Sequence, residues 1–276
     1  MTILNKASAT LMHPLLFSSR LRLRMKVALA IFVCLGGAAI GSAFAADPDS
    51  CPDSDGFRRL KSLGSVYLGE MHGTEQAPRI VRCVIESALA TSKRPIVVAI
   101  ELPSINTPDG KYHWAHFQDG KTSQPMWDLI AWLRARESEG ALKIHYQSRE
   151  AVRAMIESGQ SASEKVVADE FRTIAANNLL IAYGGGFHSR READPGVPGV
   201  TPAGALLGDL VSHVLLAPNL GGQAWGCTSA TACGPMELSP MSVVQASQDS
   251  LVDGSKYGQD FLYLLGKVTV ATPHTP

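Results

Sequence analysis

The sequence predicts an α/β protein, a single domain with a largely parallel central sheet and helices on both faces. Three observations carry this. Short β-branched runs alternate with segments of helical periodicity, as βαβ construction requires. One run, Pro95–Leu102, is apolar almost throughout, the pattern of a strand covered on both faces. With 45% hydrophobic and 18% charged residues, the 276-residue chain has material for a packed core and does not resemble a disordered chain.

Ser65–Leu68 is the first expected strand. Glu75–Thr91 follows as a helix with Ile80, Val84, Ile85 and Leu89 on one face and Thr74 as its cap. After the strand Pro95–Leu102, Ser123 is expected to cap a helix over Gln124–Ser138, whose apolar stripe is Trp127, Ile130 and Leu133. Ala141–Tyr146 reads as the third strand and Glu150–Glu157 as helical turns. Ser163–Asn177 reads as a helix and Leu179–Tyr183 as the fourth strand. A short helix at Ala203–Gly208 and strands at His213–Ala217 and Phe261–Val268 complete the pattern. Ser104–Thr122 and Glu192–Pro202, rich in Gly and Pro, read as irregular specificity loops.

The net charge of zero is the sum of two unlike parts. Residues 1–45 hold five basic residues and no acidic one, which leaves 20 basic against 25 acidic, or −5, on residues 46–276. A basic stretch, an apolar run from Val27 and the small-x-small pattern Ala43-Phe44-Ala45 read as a secretory signal peptide cut between Ala45 and Ala46. Residues 46–276 then form the mature domain, expected in the periplasm or secreted and without a stable membrane anchor. The rival is an uncleaved anchor, since the run is just long enough to span a bilayer. An acidic domain is a poor nucleic-acid binder. The partner expected is a small-molecule or peptide substrate.

Four cysteines follow the cut. Cys227 and Cys233 enclose a short loop and are natural disulfide partners, which leaves Cys51 with Cys83. A zinc site is the rival, though no C-x-x-C spacing occurs.

Ligand sites in parallel sheets lie at the carboxyl ends of the strands. The first strand runs into Gly69-Glu70-Met71-His72-Gly73, and residues two apart share a face, so Glu70 and His72 point the same way. The second strand ends at Glu101. The fourth ends in Tyr183, three glycines, Phe187, His188, Ser189 and Arg190. One sheet edge thus receives two His, two Glu and one Arg. His72, His188 and Glu70 could hold a divalent Mn, Co or Zn ion, or Glu70 and His72 could activate water directly. Glu101 is a further ligand or orienting carboxylate, and Arg190 an oxyanion or substrate contact. His145 lies on the face opposite Ile144 and Tyr146 and borders the site or faces solvent. His113 and His116 read as loop residues, and His213 and His274 as bystanders. No G-x-S-x-G, H-E-x-x-H or G-x-x-x-x-G-K-[ST] motif occurs, which argues against serine hydrolases, zincins and P-loop enzymes.

Gly69-Glu70-Met71-His72 and Gly185-Gly186-Phe187-His188 form a pair of G-x-x-H motifs. With Glu101 they resemble the superfamily of the erythromycin esterases, the ChaN haem-uptake lipoproteins, the TraB proteins and the Tiki proteases. The segments Phe117–Met126, Gly184–Arg190 and Tyr257–Thr272 further resemble an exported bacterial branch, and the likeness extends over about residues 64–272. It implies an α/β fold and hydrolysis of an ester, lactone or peptide bond. The Tiki branch implies that His72, His188 and Glu70 serve a divalent metal. The erythromycin esterases imply that Glu and His residues activate water. The ChaN branch implies the alternative, a haem or iron-compound binder using His72 or Tyr183. Lys121 stands where that exported branch favours Arg and keeps the charge of an anion contact without the bidentate fork.

Overall fold

The computed structural model describes residues 50–229, 232–241 and 246–274. The expected signal peptide and the interior of the Cys227–Cys233 loop at Ala230 and Thr231 lie outside them. The described residues open with a short helix α1 (Asp55–Leu60) and a fully buried strand β1 (Val66–Glu70). Then come α2 (Gln76–Thr91), β2 (Ile96–Ile100), α3 (Pro108–His116), α4 (Gln124–Ser138) and β3 (Lys143–Tyr146). Next are α5 (Arg149–Ser158), α6 (Gln160–Asn177), β4 (Leu179–Gly185), α7 (Ala203–Leu207) and β5 (Ser212–Ala217). The hairpin β6 (Gly222–Ser229) and β7 (Ala232–Leu238) precedes β8 (Leu251–Asp253) and β9 (Phe261–Leu264).

Seven strands form one sheet in the order β3-β2-β4-β1-β5-β9-β8, parallel except for β8 on β9. From the adjacent carboxyl ends of β1 and β4 the chain leaves in opposite directions, β1 through α2 to β2 beyond β4, and β4 through α7 to β5 beyond β1. That divergence opens the crevice where ligands of such sheets bind.

The alternation of side chains along β1 divides the core. Val66 and Leu68 pack with Ile80, Val84, Leu129 and Leu133 of α2 and α4. Tyr67 packs with Ala168, Phe171 and Ala175 of α6 and with Ala203 and Leu207 of α7. Helices therefore cover both faces. Each fully buried Leu or Ile contributes roughly 1.5–3 kcal/mol, so these two layers hold the strand ends rigidly.

Several local expectations are corrected. The N-cap of α2 is Glu75, and the buried Thr74 bridges to Val270 instead. Ser123 occupies the N-cap of α4 but makes no side-chain capping bond. His113 and His116 belong to α3, not to a loop. Thr107 starts this helix by accepting from Gly110 N at 3.1 Å, and Pro108 sits in its first turn. Gly110, which weakens the helical pattern, is needed because a Cβ there would stand 2.0 Å from Ser104 O. The final expected strand stops at Leu264, and Val268 forms only an isolated bridge with Gly222.

Both disulfides are present, Cys51–Cys83 and Cys227–Cys233. The second closes a directly opposed pair across the β6–β7 hairpin. Among the described residues, no helix is long and apolar enough to cross a membrane.

Candidate active site at the strand ends

Glu70 closes β1 on the face of Leu68, and Leu68 is in register with Tyr183 of β4. One pleat further on, Glu70 therefore comes within reach of the Tyr183 hydroxyl, which donates to its Oε2 at 2.5 Å. Its other oxygen, Oε1, lies 2.8 Å from Nδ1 of His72. Burial, with Glu70 beside it, pushes the Tyr183 phenol well above its ordinary range and keeps it a proton donor. Glu70 itself is buried, so its three-residue chain with Tyr183 and His72 is held in a low-dielectric setting.

Glu101 follows β2. Its Oε1 receives the Lys121 ammonium at 2.6 Å, and its Oε2 accepts from Gly185 N at 2.7 Å. Burial pushes the Glu101 carboxyl up. The Lys121 ammonium and His188 together outweigh this and hold it well below the usual carboxylate range. Close approach demands glycine here, because a Cβ on Gly184 would stand 2.7 Å from Glu101 Oε2.

His188 rides on the turn after β4. Its Nδ1 lies 2.6 Å from Glu164 Oε1, and its Nε2 lies 3.3 Å from Glu101 Oε1. Burial pulls the imidazolium down, but hydrogen bonds to Glu101 and Glu164 overcome this and raise it to about 10. His188 is thus an imidazolium held between two carboxylates. Glu164 is itself buried and also accepts from Gln160 Nε2 at 2.5 Å and Ala203 N at 2.8 Å.

The two histidines converge at Gly185. A Cβ there would lie 3.1 Å from His72 Nε2, 3.3 Å from His188 Cδ2 and 3.5 Å from Glu101 Oε2. Each histidine has Nδ1 against a carboxylate, and His72 Nε2 has no partner among the described residues. Such outer partners fix tautomer and orientation. They leave His72 with an open Nε2, while His188 is an imidazolium whose Nε2 proton faces Glu101.

A cavity of about 260 Å³ opens on the α6 face beside Glu101, Lys121, Glu164 and His188. His145 borders it, with Nε2 3.1 Å from Glu170 Oε2. Glu101, Lys121, Tyr183 and His188 line the cavity, and Glu70 and His72 stand behind them, joined through Tyr183 and at Gly185. Arg190 is not brought to this cavity: its guanidinium lies 3.5 Å from Asp194 and packs over Gly258. His213 is fully buried between the carbonyls of Ser189 and Gly208, as a structural support of the His188 turn.

Glu164 escaped the sequence reading. Its signal was there: positions 164, 168, 171 and 175 form the buried stripe of α6, and a carboxylate on such a stripe needs a partner.

The expected ligand set for a divalent ion is not gathered. Among the described residues, three ligand atoms of His, Cys, Asp or Glu come within 4.8 Å of one another only at Cys51, Cys83 and Glu86. There both sulfurs are spent in a disulfide. At the strand ends, Glu70 sits on the Nδ1 side of His72, away from the nitrogen that approaches His188, and the Lys121 ammonium already neutralises Glu101. These residues, as arranged, do not fit an ion held by His72, His188 and Glu70. The Tyr183 hydroxyl is likewise committed to Glu70, so offering it to a haem iron requires breaking that bond.

No described protein family matches the chain, and no curated protein matches it. The solved structures similar to it include two with TM-scores above 0.5. One is a Bacillus cereus protein with TM-score 0.53 and 10% identity, covering 79% of this chain and 92% of that chain. The other is a succinoglycan biosynthesis protein with TM-score 0.51 and 9% identity, covering 82% of this chain and 94% of that one. At these identities the likeness shows the fold alone.

Proposed function

We propose that this protein is an exported hydrolase of an ester, lactone or peptide bond that activates water with paired Glu–His dyads. The observation that carries this reading is the placement of the two histidines. Glu70 and Glu164 take their Nδ1 atoms, and their opposite edges meet at Gly185 beside Glu101. His72, whose Nε2 is open, supplies the general base, and His188, held as an imidazolium, the general acid.

In this scheme His72 Nε2 removes a proton from water, and the water oxygen attacks the acyl carbon. The carbonyl electron pair moves to oxygen. When the tetrahedral intermediate collapses, the leaving oxygen or nitrogen takes the His188 proton. Proton exchange with solvent then restores both histidines. Glu70 and Glu164 orient the rings, while Glu101 and Lys121 fix the charge balance beside them. The two disulfides support an oxidising compartment.

The test is hydrolysis of an ester, lactone and peptide panel by wild type, Glu70→Gln and His188→Ala, each with chelator and with added Mn, Co or Zn. The reading expects activity that withstands chelation and falls in both variants. Activity unchanged in both variants would sink it. Activity dependent on added metal would replace water activation by the dyads with metal-assisted hydrolysis. A Soret band on adding haem, without hydrolysis, would favour the binding role.

A further inference from the structure

We propose that Tyr67 is a further catalytic residue of this site, its hydroxyl donating a hydrogen bond to an uncharged acyl oxygen of the substrate. The inference rests on the hydrolase reading for its reaction, and on independent geometry for its residue.

Tyr67 lies in the middle of β1 on the α6 face, one pleat before Gly69. It is 98% buried, at 2% relative exposure, and it borders the cavity. Yet its hydroxyl hydrogen-bonds to no residue among those described. Nor is that oxygen one of the fully enclosed unpaired polar atoms of the fold, so it reaches open space, and the open space Tyr67 borders is the cavity. A phenol this deeply buried ordinarily finds a partner. Here the partner is missing from the protein.

The neighbours explain why. Glu101 and Glu164 are the negative charges that act on Tyr67. Both carboxylates are already supplied with donors: Lys121 and Gly185 N on Glu101, and Gln160, His188 and Ala203 N on Glu164. Tyr67 cannot swing to them freely, because its ring makes an edge contact with Phe171 at 5.5 Å. Burial, reinforced by those two carboxylates, holds the phenol well above its ordinary range, so it keeps its proton.

The row that contains Tyr67 also limits what can bind. In register across the sheet run Tyr67, Ala182, Ala99 and His145, from β1 through β4 and β2 to β3. The two alanines leave room above them, and Phe171 fills its base, touching Tyr67 on one side and His145 at 6.2 Å on the other. Three carboxylates, Glu101, Glu164 and Glu170, face this space. Lys121, His188 and His145 at most balance them, so a carboxylate or phosphate gains no net attraction. A neutral carbonyl oxygen accepts from Tyr67 without that conflict. The substrate class is therefore an uncharged ester, lactone or amide at its reacting group. A donor that strengthens as charge grows on that oxygen acts on kcat more than on KM.

The experiment compares wild type with Tyr67→Phe in the full mature chain. Melting temperature, hydrolysis of δ-valerolactone and the infrared carbonyl stretch of carbonyl-13C-labelled lactone are measured. The expected result is an unchanged melting temperature, because no protein hydrogen bond is lost, and a kcat lower by about 10- to 100-fold with KM little changed. A red-shifted bound carbonyl band should be present in wild type and absent in Tyr67→Phe. If wild type hydrolyses the lactone and Tyr67→Phe does so equally well, the role of Tyr67 is overturned and the dyads stand. If wild type hydrolyses nothing in the panel, the hydrolase reading falls, and the infrared band alone decides for or against Tyr67. A lowered melting temperature would overturn the inference by showing that the hydroxyl has a partner within the fold.

Discussion

Glu164 Oε1 stands 2.6 Å from Nδ1 of His188, a carboxylate from the buried stripe of α6 set against the imidazole that follows β4. With Glu101 on the other side of the ring, this contact keeps His188 positively charged. Glu164→Gln preserves shape and removes the charge. The variant is expected to bring the His188 titration from about 10 back toward its ordinary 6.5, and to lower hydrolysis by about 10- to 100-fold. Histidine 15N chemical shifts across a pH series read the first effect, and initial rates read the second.

The same raised value links stability to pH. Between about 6.5 and about 10 the folded chain holds a proton on His188 that the unfolded chain has released. Stability then falls as pH rises. The contribution is fully present below pH 6.5 and lost as pH passes through about 10. Urea denaturation at pH 6.5, 8 and 10 is expected to show this decline, and a flatter one in His188→Gln. Glu101, held low, acts in the opposite sense: its contribution is present above the ordinary carboxylate range and is lost as the medium becomes acidic.

Gly185→Ala places a methyl group where His72 Nε2, the His188 ring and Glu101 converge. The contacts of 3.1–3.5 Å can be eased by small side-chain shifts, so the loss of stability should stay below about 1–3 kcal/mol. Activity is more sensitive, because displacing catalytic groups by about 1 Å costs on the order of 100-fold. Calorimetry and initial rates should therefore separate: a modest change in melting temperature with a large loss of kcat. Equal losses in both would place Gly185 among purely structural residues.

The Cys51–Cys83 disulfide closes a separation of 32 residues and pins the segment before α1 to α2. Its removal by the double substitution Cys51→Ser and Cys83→Ser is expected to cost about 3–4 kcal/mol, as loop closure over that length predicts. Removing Cys227–Cys233, with a separation of 6, should cost less. Chemical denaturation of the two double variants gives the ordering, and the reverse ordering would count against the loop-closure account.

Much of the parallel sheet was readable because buried strands are continuous apolar runs and α2, α4 and α6 carry periodic stripes. β1 and β4 ran two residues beyond their expected ends, Leu68 and Tyr183, since Gly and Glu are poor strand formers and end the apolar runs at Gly69 and Gly184. The hairpin of β6 and β7 was missed for a related reason: Gly226, Gly234 and Pro235 interrupt any alternation. At the site, Glu70 and His72 were visible through their spacing of two. Glu164 and Tyr67 were not, because each reaches the site through tertiary packing. Arg190 was close to His188 in sequence, but the turn after β4 carries it toward Asp194 and Gly258.

The central claim, that His72 is the water-activating base, is tested most directly by chemical rescue. His72→Ala is expected to lose about 10²–10⁴-fold in kcat, and added imidazole should restore part of that rate in a saturable manner, with chelator present throughout. A His72→Ala variant as active as wild type, or one that regains its rate only when a divalent metal is supplied, would contradict the account.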